Sequence, residues 1–375
     1  MKNPIAKIMH RLFPKHLCEN VNGTNFRKNC LLLYIVRPFL EASPSAGHQN
    51  QWQAKELARI VGEFGYNVDV VEFSARAVKL TKTYDLVIDA HPRKNNVYSE
   101  HLSPGSKKIA YITGSNPSFS NAAEQERLEQ LRQRRGVRLK QRRWVPPFEK
   151  DELQSFDALF FLGNSYNVRT YSEFELKRVY YIRNTGYTQA GEVNLSRKSP
   201  RDFMFLSGYG QVHKGLDLLL EVFARNPDIN LYVCSSFREE QDFCRLYRTE
   251  LRRTKNIKAV GFMDIRSRSF LSLAERCSYL LLPSCSEANA GSVLTGMSFG
   301  LIPLVTRECG FEQDEVTYLE DCSVEGIEKV VRALSAAPIG TIREQAVRTR
   351  KVIEERYGEK EYSHSVKEAL KDLLS

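Results

Sequence analysis

Short apolar segments alternate with amphipathic helical patterns along most of the chain, and this alternation restricts the fold more than any other feature. Residues 31–36 and 85–90 have the pattern of buried strands, and residues 49–64 carry apolar side chains at helical spacing. Continuous apolar strands that alternate with amphipathic helices are typical of a parallel sheet covered by helices on both faces. The first half of the chain therefore predicts a doubly wound α/β domain.

The same alternation starts again near residue 203. Strands are predicted at residues 203–206, 231–234 and 279–282, with a helix at residues 214–225 between the first two. The chain has 375 residues, which is too long for one ordinary hydrophobic core. We therefore predict an α/β protein with two doubly wound Rossmann-like domains that face each other across a cleft.

The predicted boundaries divide the chain into four segments. These are an N-terminal basic appendage (1–29), an N-terminal Rossmann-like domain (30–185), a C-terminal Rossmann-like domain (186–350) and C-terminal helices that pack back toward the N-terminal domain (351–375). The appendage has apolar residues at helical spacing among basic ones, at Ile5, Ile8, Met9 and Leu12. Such a helix lies in a membrane interface or packs on the protein, and the pattern leaves both alternatives open.

The chain carries a formal net charge of +10, which favours anionic partners. Part of this excess is concentrated at residues 127–143, which contain eight basic residues and only one acidic residue, Glu129. This segment is either a solvated helix face or a surface that contacts anionic lipid or an anionic acceptor. Nucleic acid is not the expected partner, because no aromatic residues are interleaved for base stacking.

Eight cysteines are scattered along the chain without any CxxC pair, and several lie in strand-like segments. This distribution favours buried free thiols in a reducing compartment over a disulfide framework or a zinc site. No apolar run approaches the roughly eighteen residues that a membrane span needs, and no secretory signal is recognised. We therefore expect a cytoplasmic protein, with peripheral contact at the inner face of the membrane as an open alternative.

Two charged residues follow predicted strands of the second domain. Lys214 comes eight residues after Leu206, and Glu287 follows the strand at residues 279–282 and precedes the small residues 288–292. Either residue alone has an ordinary explanation, as a surface charge or a helix-dipole partner. Ligands of doubly wound sheets bind at the carboxyl ends of the strands, however, and small residues at a helix start allow phosphate oxygens to approach backbone N–H groups. Together the two residues predict a diphosphate site.

The sequence gives no sign of a metal ion or of ATP hydrolysis at this site. It has no Asp-x-Asp pair, no His/Cys cluster with metal-ligand spacing and no GxxxxGK[ST] loop. We expect protein groups to neutralise the diphosphate and expect no cofactor besides the nucleotide-bearing substrate.

Several stretches resemble a known enzyme family. The segments "FLSGYGQVHKGLDLLLEVFARNPDINLYVCS" (205–235) and "VGFMD" (260–264) resemble the C-terminal domain of retaining glycosyltransferases of GT-B architecture, of the family four type. The segment "AGHQNQWQAKELARIVGEFGYNVDVVEF" (46–73) resembles the glycine loop, first helix and second strand of their N-terminal domain. Bacterial surface-polysaccharide enzymes are the most similar subset. The resemblance implies an acceptor-side N-terminal domain and a C-terminal domain that binds a nucleotide-sugar.

The resemblance also implies roles for individual residues. Lys214 matches the lysine that contacts the donor diphosphate, and Glu287 matches a glutamate that holds hydroxyls of the donor sugar; these two are the predicted catalytic residues. The other predicted donor-binding residues are Gly47 and His48 in the N-terminal loop, Phe262 and Met263 at the nucleobase, Gly291 and Ser292 at the phosphates, and Tyr209 and Thr295.

Tyr209 and Thr295 depart from the family pattern. The family usually has an arginine at the position of Tyr209 and a ribose-binding glutamate at the position of Thr295. We therefore keep two functions. One is a retaining, metal-independent glycosyltransferase that moves a sugar from a nucleotide-sugar to a glycan, lipid-linked or other hydroxyl acceptor in cell-surface polysaccharide or glycoconjugate synthesis. The alternative is a non-catalytic relative that binds a nucleotide-sugar or glycan as a partner subunit.

Overall fold

The structure is a computed structural model that describes residues 16–41, 49–75, 78–90, 92, 95–187 and 191–375. Within these residues the strands are β1 (Leu17–Cys18), β2 (Lys28–Tyr34), β3 (Tyr66–Glu72), β4 (Tyr84–Asp89), β5 (Leu102–Ile112), β6 (Ala158–Phe161), β7 (Val179–Tyr181), β8 (Ser199–Leu206), β9 (Asn230–Cys234), β10 (Ile257–Lys258), β11 (Cys277–Leu282), β12 (Ile302–Val305) and β13 (Thr317–Tyr318). The α-helices are α1 (Arg37–Leu40), α2 (Asn50–Glu63), α3 (Asn95–Tyr98), α4 (Pro117–Arg135), α5 (Lys150–Gln154), α6 (Ser165–Arg169), α7 (Leu216–Arg225), α8 (Gln241–Leu246), α9 (Arg248–Arg252), α10 (Arg268–Arg276), α11 (Gly291–Ser298), α12 (Val324–Ser335), α13 (Ile339–Arg356) and α14 (Glu359–Leu374).

Strands β1 to β7 form one sheet in the order β1-β3-β2-β4-β5-β6-β7. All its neighbouring strands are parallel except β1, which pairs antiparallel with β3. Successive residues of β2 point to opposite faces, so Leu32 and Leu33 belong to two different apolar clusters. From Cys30 to Tyr34 both faces are buried, so this part of the strand is continuously apolar, which is the pattern that predicted it. We call this sheet and its helices the N-terminal lobe.

Strands β8 to β13 form a second, fully parallel sheet in the order β10-β9-β8-β11-β12-β13. The first strand in sequence therefore lies in the middle, between β9 and β11, and the chain winds outward in both directions from it. This order is typical of the dinucleotide-binding Rossmann fold. We call this sheet and its helices the C-terminal lobe. The predicted fold class, two doubly wound α/β domains, is thus confirmed.

The first and the last described segments of the chain both contribute to the N-terminal lobe. Strand β1 pairs with β3 at the edge of the first sheet, and residues 28 and 29 of the predicted appendage already belong to β2. Residues 1–15, where the interfacial helix was predicted, lie outside the described residues. Helix α14 packs on helix α2 and strand β6. Its buried residues, among them Tyr362 and Leu370, belong to the same apolar cluster as the buried residues of α2 and β6. No helix in the described part of the chain is both long and apolar enough to span a membrane.

The lobes are joined by ion pairs that use much of the basic segment at residues 127–143. At the end of α4, Arg134 Nη2 lies 2.5 Å from Asp217 Oδ2, and Arg135 Nε lies 3.1 Å from Glu221 Oε1. Arg135 also pairs with Glu250, and Arg142 pairs with Asp242. These acids all belong to the C-terminal lobe. Three of the eight basic residues that predicted an anionic partner are therefore paired with acids inside the molecule.

Replacing Arg135 with alanine should weaken the contact between the lobes. The substitution leaves Glu221 and Glu250, both mostly buried, without this cation, and it removes a guanidinium that lies 4.6 Å above the ring of Tyr247. Breaking a largely buried pair costs a few kcal/mol, and for the partly exposed Arg135 we expect a loss of about 1–3 kcal/mol in the free energy of unfolding, measured by chemical denaturation.

The matched control is Arg132→Ala. Arg132 pairs with Glu129 on the exposed face of the same helix, and such solvent-exposed pairs contribute little to stability. If the two variants lose equal stability, the pairs of Arg135 do not hold the lobes together.

Candidate functional site

The candidate site lies where β8 and β11 are neighbours in the second sheet. The chain leaves these adjacent strands toward opposite sides of the sheet, which opens a crevice at their carboxyl ends. The turn at residues 208–215 follows β8 and carries Lys214, and the loop at residues 283–290 follows β11 and carries Glu287. Parallel strands therefore bring together two residues that are 73 positions apart in sequence.

The sequence predicted that a helix begins at Lys214, and this prediction is wrong. Helix α7 begins at Leu216, and Gly215 before it has a φ of 78°, a left-handed conformation that lies outside the helix. A Cβ at this position would lie 2.5 Å from the carbonyl oxygen of Pro283, so only glycine fits. This close packing joins the turn to the loop and directs Lys214 toward Glu287.

Lys214 and Glu287 form an ion pair in which the Lys214 ammonium donates to Glu287 Oε1. The Ser284 hydroxyl donates to the same oxygen at 2.9 Å. Both charged side chains are nearly buried, at 10% and 12% exposure. Burial raises the pKa of Glu287, but the charges of Lys214 and Arg143 outweigh it and lower the pKa to about 2. Burial also lowers the pKa of the Lys214 ammonium, although Glu287 opposes this change.

The turn at residues 208–215 is held by a second buried carboxylate. Glu240, only 2% exposed, accepts hydrogen bonds from the backbone N–H of Gly210 at 2.6 Å and of Gln211 at 3.1 Å. The Gln211 side chain, which is fully buried, donates to the carbonyl of Gly208 at 2.9 Å. The position of Lys214 is therefore set by the backbone of a rigid turn.

His213 connects the turn to the loop. Its Nε2–H donates to the carbonyl oxygen of Ser286 at 2.7 Å, and its own carbonyl accepts from the N–H of Cys285 at 2.9 Å. Its Nδ1 lies 3.9 Å from Glu124 Oε2 of the N-terminal lobe. Burial is the main cause that lowers the pKa of His213 to about 3, and Lys214 adds to it.

This buried neutral histidine should make the fold sensitive to acid. The unfolded chain binds the proton of His213 near its ordinary pKa of 6.5, whereas the folded chain binds it only near pH 3. Since the unfolded state holds more protons between these values, the free energy of unfolding should fall as the pH falls below about 6.5.

The variant His213→Gln keeps a donor toward Ser286 but does not titrate. We expect the stability difference between the wild type and this variant to change by up to about 1.4 kcal/mol per pH unit below 6.5, in urea denaturation at pH 7.5, 6 and 5. Stability curves that stay parallel over this range would show that His213 does not carry the effect.

Residues of the N-terminal lobe contact the loop at residues 283–290 from the other side. The Ser115 hydroxyl donates to the carbonyl of Glu287 at 2.6 Å, and the Asn167 side chain donates to the same oxygen at 3.1 Å. Ala288 enters an apolar cluster of the N-terminal lobe, where a Cβ on Gly163 would lie 3.3 Å from it. The small size of residue 288 thus permits contact between the lobes.

The same explanation applies to Gly291 and Thr295 of helix α11. Gln49 of the N-terminal lobe donates to the carbonyl of Gly291 at 3.0 Å, and a Cβ on Gly291 would lie 2.8 Å from Gln49 Oε1. The Thr295 hydroxyl donates to the Gly291 carbonyl at 2.9 Å and accepts from Gln49 Nε2 at 3.4 Å. In this structure the small residues admit the other lobe, and their contact with a ligand stays a prediction.

The other predicted donor-binding residues occupy different places. Tyr209 lies in the turn with Lys214, and its hydroxyl accepts from Arg142 Nη1 at 3.4 Å. Ser292 follows Gly291 in the first turn of α11. Phe262 is 75% exposed after β10, and Met263 packs partly buried on the core of the C-terminal lobe. Gly47 and His48 lie outside the described residues.

Four residues of this region were not identified from the sequence, namely Gln49, Arg143, Asn167 and Glu240. Arg143 was recognised only as part of the basic segment. Each acts across a lobe boundary or between separate loops, so no local pattern identifies it.

Among the described residues, no group of three or more His, Cys, Asp or Glu side chains has a geometry that could hold a metal ion. The expectation that the reaction needs no metal remains a prediction.

The structure is similar to solved structures of glycosyltransferases, whereas no protein-family model and no curated protein sequence matches the chain. Sucrose-phosphate synthase from Thermosynechococcus elongatus is similar with a TM-score of 0.63 and 11% identity, over 93% of this chain and 99% of that one. HepE of Anabaena, in complex with UDP and glucose, gives a TM-score of 0.56 and 10% identity, over 93% and 99%. TarM gives 0.53 and 12%, over 77% of this chain, which spans about half (54%) of the length of TarM.

The chain therefore has the GT-B fold, in which two Rossmann-like lobes face each other. At these identities the likeness concerns the fold.

Proposed function

We propose that this protein is a retaining glycosyltransferase of the family four type that takes its sugar from a nucleotide-sugar. The observation that carries the proposal is the buried Lys214–Glu287 pair. It lies in the crevice at the carboxyl ends of β8 and β11 and faces the N-terminal lobe. The GT-B fold supports it, since the similar structures are glycosyltransferases and that of HepE contains UDP and glucose.

The ion pair gives both groups a role in binding the donor. A sugar hydroxyl would donate to the Glu287 carboxylate, which its low pKa keeps ionised at neutral pH. The donor diphosphate would then replace Glu287 as the anionic partner of Lys214. Binding thus exchanges one ion pair for two charge-assisted contacts, which limits the cost of separating the two residues.

In the proposed reaction the acceptor hydroxyl attacks the anomeric carbon from the face that the diphosphate leaves. The bond between this carbon and the phosphate oxygen breaks, the bond to the acceptor oxygen forms, and the departing phosphate takes the hydroxyl proton. Lys214 stabilises the charge that develops on the leaving group, and Glu287 orients the sugar. No second carboxylate of the glycosidase kind is required, and no metal step is proposed.

The test is incubation of the purified protein with UDP-, GDP-, ADP- and CMP-sugars and hydroxyl acceptors, with and without EDTA. Transfer with the donor's anomeric configuration, read by NMR, and unaffected by EDTA supports the proposal. A product with inverted anomeric configuration would contradict the retaining mechanism. Activity that EDTA abolishes would contradict the metal-independent reaction.

A second candidate, a non-catalytic partner subunit that binds a nucleotide-sugar or glycan, is favoured by one observation. The hydroxyl of Thr295 already donates to Gly291, and that of Tyr209 contacts Arg142, so neither offers the charged group found at these positions in the family. Saturable binding of a nucleotide-sugar, with neither transfer nor slow hydrolysis of any donor, would support this alternative.

For the acceptor, we propose a glycan or a lipid-linked hydroxyl compound used in cell-surface polysaccharide or glycoconjugate synthesis, at the cytoplasmic face of the membrane. Lys140 and Trp144 are exposed on the N-terminal lobe and fit contact with an anionic lipid surface. Co-sedimentation with vesicles that contain an anionic lipid, but not with neutral ones, is the expected result, and equal recovery with both would contradict the membrane contact.

A further inference from the structure

Arg143 of the N-terminal lobe lies directly against the turn that carries Lys214. Its Cγ and Cδ lie 2.7 and 2.9 Å from the position that a Cβ on Gly210 would occupy. The backbone N–H of Lys214 donates to the carbonyl of Gly210 at 2.9 Å, so Gly210 and Lys214 belong to one turn. A glycine at position 210 thus makes room for an arginine from the opposite lobe beside the site.

The backbone around Arg143 is fixed by two buried side chains of helix α4. Glu124, which is 1% exposed, accepts the N–H of Arg142 at 2.8 Å with one carboxylate oxygen and the N–H of Arg143 at 2.9 Å with the other. Asn121 accepts the N–H of Val145 at 3.0 Å and donates to its carbonyl at 2.6 Å. The backbone of this segment is therefore held in place, so the Arg143 side chain starts from a fixed position beside the turn.

The charge of Arg143 is not compensated by a carboxylate. Three other arginines of the basic segment, Arg134, Arg135 and Arg142, each pair with an acid of the C-terminal lobe. Within the described part of the chain, Arg143 has no such ion pair, although it is close enough to lower the pKa of Glu287. Among the described residues, Arg143 thus lies beside the site without a carboxylate ion pair.

The proposed ligand needs this additional charge. The diphosphate of a nucleotide-sugar carries a negative charge on each phosphate, whereas Lys214 and Glu287 together carry no net charge. A guanidinium can bind phosphate oxygens through two parallel N–H donors, and an exposed guanidinium can do so without first breaking another ion pair.

We propose that Arg143 is a second cationic ligand of the donor diphosphate, supplied by the N-terminal lobe and acting together with Lys214 of the C-terminal lobe. This inference rests on the proposed function. It makes the diphosphate site a property of both lobes, so that donor binding also holds them together.

The test compares Arg143→Ala, Arg143→Lys and the control Arg138→Ala, a change at an exposed arginine of the same segment. Binding of UDP, GDP, ADP, CDP and inorganic pyrophosphate is measured by calorimetry, together with binding of the corresponding nucleosides. We expect Arg143→Ala to lower the affinity for the best-binding nucleoside diphosphate about tenfold or more, and to leave the affinity for the corresponding nucleoside unchanged. Arg143→Lys should fall between this variant and the wild type, and Arg138→Ala should match the wild type.

The outcomes separate the inference from the proposed function. If the wild type binds nucleoside diphosphates and Arg143→Ala binds them equally well, Arg143 is not a ligand, while the proposed function stands. Equal weakening of diphosphate and nucleoside would also overturn the inference, because it would show a general disturbance of the site. If the wild type binds no nucleoside diphosphate or nucleotide-sugar, the proposed function itself is wrong.

Discussion

Replacing Lys214 with alanine is expected to lower turnover about a hundredfold or more. The ammonium is the cation nearest to Glu287, and in the proposed reaction it becomes the cation nearest to the leaving diphosphate. Its effect is large because the side chain is nearly buried, so water cannot replace the lost charge. The measurement is the initial rate of sugar transfer, or of donor hydrolysis, at saturating donor. Near-normal turnover would remove Lys214 from the mechanism.

A loss of folding must be separated from this loss of chemistry. Removing one partner of a buried ion pair destabilises a protein by about 3–5 kcal/mol, because the other charge stays buried. The double variant Lys214→Ala, Glu287→Gln removes both charges and should therefore recover part of the stability. We expect its turnover to remain low, and recovery of turnover together with stability would show that Lys214 acts only on the fold.

Glu287→Gln is expected to affect the sugar rather than the diphosphate. The glutamine keeps the shape of the side chain but loses the charge-assisted hydrogen bond to the sugar hydroxyl, which contributes about 1.5–3 kcal/mol. We expect kcat/KM for the nucleotide-sugar to fall about ten- to a hundredfold, with poorer discrimination between donors that differ in the sugar.

The affinity of Glu287→Gln for the free nucleoside diphosphate should stay equal or rise, because Lys214 loses its anionic partner. This opposite response distinguishes the carboxylate from a residue that merely supports the loop. If affinity for the diphosphate falls as much as kcat/KM for the sugar donor, the role given to Glu287 is wrong. The control Ser284→Ala removes only a neutral donor to the same oxygen and should change both quantities less.

Local sequence patterns predicted most of the secondary structure. The observed strand Asn230–Cys234 ends at the predicted residue and begins one residue earlier, and helix Asn50–Glu63 differs from the prediction by one residue at each end. These segments are long enough, or apolar enough, for their own side chains to show which face is buried. Helices Arg268–Arg276 and Val324–Ser335 were not predicted.

The two central residues of the candidate site were also identified from the sequence. Lys214 and Glu287 each follow an apolar strand, and in a parallel sheet the ends of all such strands lie at one edge. Their contact depends on the order of the strands, which places β8 beside β11 although two other strands of the sheet lie between them in sequence.

The sequence alone thus determined the fold class and the residues at the strand ends, because both depend on periodicity within a few neighbouring residues. Only the tertiary structure decided what faces them. It placed Gln49 on Gly291, Asn167 on Glu287 and Arg143 on Gly210, and these pairs are far apart in sequence and belong to different lobes. Contacts of this kind depend on the packing of two separate cores, and no periodic pattern in either segment records its partner.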